Sequence, residues 1–519
     1  MRRTRALAVV LSGLIAATGS VATGGIADAS VSPARAEAAP AKAAPADLKS
    51  DLDAILRDSR LSGATVDLLV RNARTGEVLY DHGSDTSVTP ASNNKIQTST
   101  AAFGILGAGY RFRTSVYAKG GNLYLKGTGD PTMRATEYDA LAAAVAAKGV
   151  TTVKGDLITD DTWFDAQRTG PDWDPSDFPF AYAAQVSALT ISPDDVFDTG
   201  SIDVGVTPGQ PGEPVHVALT PETNVVKIDN RAVTGAAGSA STLSINRSNG
   251  SDTIVVSGSY PADGAKVDSL RSVENPTLYA ADVFRNALKA HGVAVSGTTE
   301  RGRTPAPAKQ LATRRSVPLS QLATPFLKLS NNGIAEILVK AIGRKKAGQG
   351  SWAAGLPQVV KYLKTVGVDT SQVTMTDGSG LSHTNHTTAH QLSNILKAVQ
   401  TESWFPAWYN ALPIAGQADP LVGGTLASRM QNTPAAGNVH AKTGTLTGAT
   451  ALSGYATDPN GTKLIFSSVF NDYSGGAPKD LEDRIAVRLA SGTTTATTAS
   501  FATRLTRPSS LECSWTGTC

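Results

Sequence analysis

Three clusters of residues able to do chemistry lie far apart along the chain: Ser92-Asn93-Asn94-Lys95, Ser330-Asn331-Asn332 and Lys442-Thr443-Gly444-Thr445. Serine is a poor nucleophile at neutral pH and needs an adjacent base to take its proton. A lysine three residues further on meets that need, because positions i and i+3 share one face of a helix. Taken singly the clusters say little. A Ser-Asn-Asn before a helix is usually an N-cap, and Lys-Thr-Gly-Thr is usually a strand end and turn. In this order, with these residue types, they describe an acyl-transfer site built from three distant segments.

Such a site needs elements that converge. Asn93 to Leu106 reads as the helix carrying the first cluster, with Pro90 just ahead and Ile96, Ala101, Ala102, Ile105 and Leu106 as its apolar positions. Ser92 then stands at the helix N-terminus, where negative charge is favoured. Asp47 to Asp58 is expected to be helical, with Leu48, Leu52, Ile55 and Leu56 on one face. Thr65 to Val70 and Val78 to Tyr80 flank Asn72-Ala73-Arg74-Thr75-Gly76 as a hairpin. Near the C-terminus, His440 to Leu446, Ala451 to Tyr455 and Leu464 to Phe470 are strands separated by turn residues, and Leu481 to Ala490 is a closing helix. Helices and strands at both ends of one unit predict an antiparallel sheet covered by helices.

Residues 96–329 separate the first two clusters, and much of that stretch has a different character. From about Phe197 to Gly297 it is rich in Val, Thr and Gly, with short alternating runs such as Val215 to Leu219 and Thr253 to Ser257. It reads as inserted β-rich structure, and Arg303 to Pro307 as the linker returning from it. The expected fold class is α/β of the α+β type, with a catalytic unit at 47–114 and 314–492. The insertion divides into one domain at 115–196 and 298–313 and a second, β-rich one at 197–297.

At 519 residues with 41% apolar and 18% charged side chains, the chain has the composition of a multidomain globular protein. A net charge of +3, with no basic stripe interleaved with aromatics, argues against nucleic acid as a partner. Arg2, Arg3 and Arg5 precede an apolar run from Ala6 to Ala17, followed by Ala27-Asp28-Ala29 and Ala34-Arg35-Ala36. This is the pattern of a cleaved secretory signal, 1–36, and the run is short for a membrane span. An Ala/Pro-rich spacer at 37–46 and a Thr/Ser/Ala-rich tail at 493–519 complete the organisation. The two cysteines, Cys513 and Cys519, fall in that tail; an exported protein permits their pairing. His383, His386 and His390 have helical spacing but no carboxylate or cysteine beside them, so neither a metal nor another cofactor is expected.

The three clusters, with Gly127-Thr128-Gly129-Asp130-Pro131-Thr132, Asp377-Gly378-Ser379-Gly380-Leu381-Ser382 and the long insertion, resemble the class C low-molecular-mass penicillin-binding proteins. These are D-alanyl-D-alanine carboxypeptidases and endopeptidases of the bacterial cell wall. The likeness runs from about Asp47 to Ala490 and is strongest to the actinomycete DD-peptidases. It implies a penicillin-binding or serine β-lactamase-like catalytic fold. It implies Ser92 as nucleophile and Lys95 as base, with cationic Lys442 nearby and partial burial keeping the amine unprotonated. Ser330 would relay the proton to the leaving amine, and Asn332 would bond a substrate carbonyl. Lys442, Thr443 and Thr445 would hold the terminal carboxylate, and the backbone N–H groups of Ser92 and Thr445 would form the oxyanion hole. The implied partners are peptidoglycan stem peptides ending in D-Ala-D-Ala, and β-lactams as covalent inhibitors, met outside the cytoplasm.

Relatives of this kind recognise the end of a diaminopimelate side chain. Within Trp173-Asp174-Pro175-Ser176-Asp177, Asp177 is the residue expected to meet its ammonium. The family's arginine after Gly-Ser-Gly-Leu-Ser is His383 here, which weakens the expected carboxylate contact because Arg offers a fork of donors and neutral His offers one. Two other functions stay open at this level: a β-lactamase, which the long insertion disfavours, and a non-catalytic wall-binding module.

Overall fold

The computed structural model describes residues 48–492, so the leader, spacer, tail and cysteines discussed above lie outside the described residues. Ten α-helices are described: α1 (Leu48–Leu56), α2 (Asn94–Leu106), α3 (Ala135–Ala146), α4 (Pro276–Ala290) and α5 (Leu319–Lys328) come first. They are followed by α6 (Asn332–Ala347), α7 (Trp352–Thr365), α8 (Ala389–Ala398), α9 (Phe405–Ala411) and α10 (Lys479–Ser491).

The two ends of the chain build one antiparallel sheet. Its strand order is His440–Leu446, Ala449–Thr457, Lys463–Asn471, Thr65–Asn72, Val78–His82. Register places Thr65 opposite Asn471 and Lys442 opposite Ser453. Side chains alternate between faces along a strand, and both faces are covered. Leu464, Phe466 and Phe470 enter a core with α1 and α10, whereas Ile465 and Val469 enter the core shared by α2, α5, α6, α7, α8 and α9. Double coverage explains why these strands read as near-continuous apolar runs rather than as alternating ones.

Helix α2 lies within the second of these cores, and every residue of it except Gly104 is buried. A helix enclosed on all sides must turn its polar side chains into the protein. Asn94, Lys95, Gln97, Thr98 and Ser99 therefore find partners inside.

Between α2 and α5 the chain forms a second sheet, in the order Thr299–Arg301, Leu157–Asp160, Asn122–Gly127, Arg113–Lys119, Lys309–Arg315. Smaller two- and three-stranded sheets lie between residues 201 and 272. One apolar core joins them: Val116, Leu123 and Leu125 of the larger sheet cluster with Ile202, Val204, Ile254 and Val256. Helix α4 contributes Tyr279, Val283, Phe284 and Leu288 to the same core. The stretch read as β-rich thus also carries a 15-residue helix. Its apolar residues recur at helical spacing and Pro276 stands at its first turn, where the missing N–H costs nothing.

Candidate active site

Ser92 lies in a 3-10 turn, Ala91–Asn93, that runs into α2. Ala91 adopts φ 46°, a left-handed conformation that non-glycine residues seldom take. Two glycines let other segments close on this turn. A Cβ on Gly444 would stand 2.7 Å from Pro90 O, and one on Gly380, itself at φ 86°, would stand 1.9 Å from Ala91 O. The third motif and the Asp377–Ser382 segment are thereby brought against the nucleophile turn. No side chain larger than hydrogen fits at either contact.

Lys95 is fully buried, and its Nζ lies 2.8 Å from Ser92 Oγ, 2.7 Å from Asn332 Oδ1 and 2.8 Å from the Ser379 carbonyl oxygen. The last two partners can only accept. Nζ is thus within proton-transfer reach of Ser92 Oγ. Asn332 also donates through Nδ2 to Tyr182 O at 2.9 Å.

Ser330 is held at φ 58°, a second left-handed non-glycine residue, and such strain costs about 1–3 kcal/mol that the surroundings must offset. Its Oγ accepts from Lys442 Nζ at 2.7 Å, and Lys442, fully buried, also donates to Thr443 O at 2.8 Å. Asn331 is the N-cap of α6, its Oδ1 accepting from Ile334 N at 2.9 Å. The cap is thus made by Asn331, while its neighbours Ser330 and Asn332 bond Lys442 and Lys95. Thr443 Oγ1 donates to Thr425 Oγ1 at 2.8 Å. Thr445 is buried, and its Oγ1 has no hydrogen-bond partner among the described residues.

Several residues that motif reading passed over hold this arrangement. Oriented by its neighbours, the Asn93 amide donates to Lys442 O at 2.7 Å and accepts from Ser453 Oγ at 2.7 Å, tying the nucleophile turn to the sheet. Asn94 Nδ2 donates to Asp377 O at 3.0 Å on the other side. Glu336, one helical turn beyond Asn332 and fully buried, accepts from Gly378 N (2.8 Å), Ser379 N (2.7 Å) and Trp352 Nε1 (2.7 Å). Burial, reinforced by the Asp377 charge, pushes its carboxyl up to about 7. The Asp377–Gly380 turn supplies a carbonyl directly to Lys95.

Asp177 is placed in a short 3-10 turn, Pro175–Asp177, and its Oδ1 accepts from Tyr182 Oη at 2.8 Å. Burial raises its carboxyl above the ordinary value, and Asp174 adds to that. His383 is exposed and near enough to Asp174 and Asp177 to act on both electrostatically. Phe178 and Tyr182 pack on an apolar cluster that includes Trp173, Leu381 and Leu446, the residue after Thr445. His390 Nδ1 is 2.7 Å from Asp85 Oδ1, and no group of three or more potential metal ligands occurs among the described residues.

A buried serine–lysine pair at the start of an enclosed helix, facing a second serine–lysine pair across an antiparallel sheet edge, defines a serine acyl-transferase of the penicillin-binding type. The chain belongs to the D-Ala-D-Ala carboxypeptidase 3 (S13) family, which it matches over residues 48–492. It is 47% identical to a D-alanyl-D-alanine carboxypeptidase of Actinomadura sp. (strain R39), over 91% of this chain and 90% of that protein. It is 25% identical to the D-alanyl-D-alanine carboxypeptidase DacB of Haemophilus influenzae, over 81% and 88% respectively. The fold is that of the crystal structure of penicillin-binding protein 4 from H. influenzae, with a TM-score of 0.72 and 24% identity over 85% of this chain and 98% of that one.

Proposed function

We propose that the chain is a serine-type D-Ala-D-Ala carboxypeptidase that cleaves peptidoglycan stem peptides through an acyl-enzyme on Ser92. The observation that carries the reading is the 2.8 Å approach of Lys95 Nζ to Ser92 Oγ. Lys95 takes the Ser92 proton as Oγ attacks the carbonyl carbon of the penultimate D-Ala. The oxygen of the tetrahedral intermediate is received by the backbone N–H groups of Ser92 and Thr445, where loss of one donor typically costs about 2.7–4 kcal/mol. Ser330, bonded to Lys442, relays the proton taken up by Lys95 to the leaving nitrogen, the C–N bond breaks, and D-Ala departs. Water then attacks the ester, giving one proton to Lys95, which returns it to Ser92 Oγ as the shortened peptide is released.

The terminal carboxylate fits the third motif: Lys442 supplies charge, and the unpartnered Thr445 hydroxyl supplies a donor that a buried polar group would otherwise waste. Asn332, with one amide N–H beyond the one given to Tyr182, bonds the substrate's amide carbonyl. Asp177 meets the ammonium of a diaminopimelate side chain, and His383, exposed near Asp174 and Asp177, is the residue offered to its carboxylate. A β-lactam, whose strained amide stands in for D-Ala-D-Ala, acylates Ser92 and persists there. This activity places the protein outside the cytoplasm; among the described residues no helix is long and apolar enough to cross a membrane.

The test is release of D-Ala from a diaminopimelate-containing pentapeptide, run beside a cross-linked dimer and beside mass spectrometry of the penicillin-treated protein. D-Ala release together with a penicillin mass gain on the Ser92 peptide is expected. Neither release nor adduct would overturn the reading, and rapid turnover of the penicillin would favour a β-lactamase instead.

A further inference from the structure

The two donors read as the oxyanion hole belong to different segments. Ser92 N–H is on the turn ahead of α2, and Thr445 N–H is on the outermost strand of the sheet, His440–Leu446. A tetrahedral oxygen is held well only when both donors come within about 2.7–3.1 Å of one point. The turn must therefore keep its register along the strand. The close approach of Pro90 O to Gly444 sets how near the two segments lie, but a contact of that kind has no direction and lets them slide.

Asn93, the residue after Ser92, supplies direction. Its side chain is fully buried and reaches a row formed by Lys442, Ser453 and Ser467, which stand opposite one another on three adjacent strands. Its Nδ2 donates to Lys442 O at 2.7 Å and to Thr443 O at 3.2 Å. Carbonyl oxygens only accept, so the amide nitrogen must face them, and Oδ1 then accepts from Ser453 Oγ at 2.7 Å. Ser453 Oγ is in turn 2.8 Å from Ser467 Oγ, which fixes it from behind. Thr443 O also accepts from Lys442 Nζ at 2.8 Å. Hydrogen bonds weaken steeply when misaligned, so two of them to successive carbonyls lock the turn's place along the strand, with Thr445 two residues beyond Thr443.

We propose that Asn93 is a positioning residue for the oxyanion hole, holding the Ser92 and Thr445 N–H groups in register by clamping the nucleophile turn to the carbonyls of Lys442 and Thr443. The inference rests on the reading of Ser92 as the nucleophile and of those two N–H groups as the oxyanion hole. Lys442, Thr443 and Thr445, which meet the substrate carboxylate, all lie on one strand and move together. A loosened clamp therefore leaves substrate binding in place and removes stabilisation of the transition state alone.

Asn93→Leu keeps the size and removes the amide; Ser453→Ala keeps Asn93 and removes the hydroxyl that orients it. Three quantities are compared with the parent protein. They are kcat on a stem-peptide mimic ending in D-Ala-D-Ala, Ki for a peptide boronic acid whose boron accepts Ser92 Oγ to become tetrahedral, and Kd of the D-Ala-D-Ala peptide in a Ser92→Ala background. Asn93→Leu is expected to lower kcat and raise the boronate Ki by about tenfold to hundredfold, the scale of misplacing a reacting group by about 1 Å, with the peptide Kd within about twofold. Ser453→Ala should show the same split at about threefold. Unchanged kcat and Ki in Asn93→Leu, or a rise in peptide Kd as large as the fall in kcat, would overturn the inference. Where Asn93→Leu does not fold, Ser453→Ala decides, and parent values in that variant overturn it. If the parent protein neither released D-Ala nor bound the boronate, the functional reading itself would fall. Parent turnover with an indifferent Asn93→Leu variant would overturn only the role of Asn93.

Discussion

Glu336 and Asp377 grip one turn from opposite sides. Glu336 accepts from the N–H groups of Gly378 and Ser379 (2.8 and 2.7 Å), and Asp377 accepts from those of Gly380 and Ser382 (both 2.7 Å). Four backbone donors are fixed by two carboxylates, and the carbonyl of Ser379, in the middle of the turn, points to Lys95 at 2.8 Å. Trp352 donates its indole N–H to Glu336, and Trp173 Nε1 and Asn385 Nδ2 donate to Asp377. Lys95 therefore meets a carbonyl whose turn is held by a buried acid that does not itself bond the lysine.

Glu336→Gln should slow acylation. An amide presents one acceptor and one donor where three N–H groups now converge, so at least one is left unpaired, at a cost of about 1–3 kcal/mol. If part of that loss appears as a displaced Ser379 carbonyl, penicillin acylation should fall roughly tenfold or more, while Glu336→Asp should retain more activity than Gln. Stopped-flow labelling checks this, with thermal unfolding run alongside. A variant that melts lower yet acylates at the parent rate would show that Glu336 supports the fold alone.

Lys95→Ala should reduce acylation by about 10²–10⁴, the usual contribution of a positioned proton acceptor. Lys442→Ala should also weaken recognition of the carboxylate, so its KM rises where that of Lys95→Ala does not. The two variants are separated by comparing KM and kcat on the same peptide. Near-normal labelling of Lys95→Ala would mean that another base serves Ser92.

The legible parts of this molecule are those whose signal is local. Ser92 and Lys95 are three apart on one helix, and the strands around residue 465 are dense in apolar residues because both sheet faces are covered. Glu336 gave no such signal. It is a lone acid in an apolar helix, and its partners lie 42 and 43 residues further on, so nothing adjacent reveals what it holds. Helix α4 was legible in principle: Tyr279, Val283 and Leu288 recur near every four residues after Pro276. The Val- and Thr-rich strands before it dominated the reading of that stretch.

Asp67 offers a stability test with a defined sign. It lies on the Thr65–Asn72 strand, fully buried; among the described residues Oδ1 has no hydrogen-bond partner and Oδ2 accepts a long 3.5 Å bond from Ala389 N. Burial, with Asp81 and Asp85 nearby, pushes its carboxyl up to about 8, and His390 faces the same group through its pairing with Asp85. In the unfolded chain an Asp titrates near 3.9, so between about pH 4 and 8 the folded state holds a proton that the unfolded state has lost. Its contribution to stability is fully present below that window, declines as pH rises through it, and is level above. Asparagine does not titrate. The difference in Tm between Asp67→Asn and the parent should therefore grow in favour of the variant from pH 5 to pH 8. A difference that stays constant with pH would show that Asp67 is ionised in the fold throughout.

The last prediction concerns the position where this chain departs from the arginine expected of its family. His383 is exposed, its carbonyl anchored by Thr89 Oγ1 at 3.1 Å, with Asp174 and Asp177 close enough to feel its charge. A neutral imidazole offers one N–H to a carboxylate, whereas guanidinium offers two in parallel and a permanent charge. If His383 contacts the diaminopimelate carboxylate, His383→Arg should raise the preference for a diaminopimelate-tipped peptide over one lacking that carboxylate by roughly tenfold, the low end for a hydrogen bond to a charged group. The nearby acids compete, because an arginine paired with Asp177 would also occupy the proposed ammonium site. Pairing of that kind lowers kcat/KM for the diaminopimelate peptide instead, and adding Asp174→Asn to His383→Arg should then recover part of it. The measured quantity is the ratio of kcat/KM between the two peptides, which cancels changes common to Ser92 chemistry. A ratio that moves in neither direction would show that His383 stands clear of the substrate.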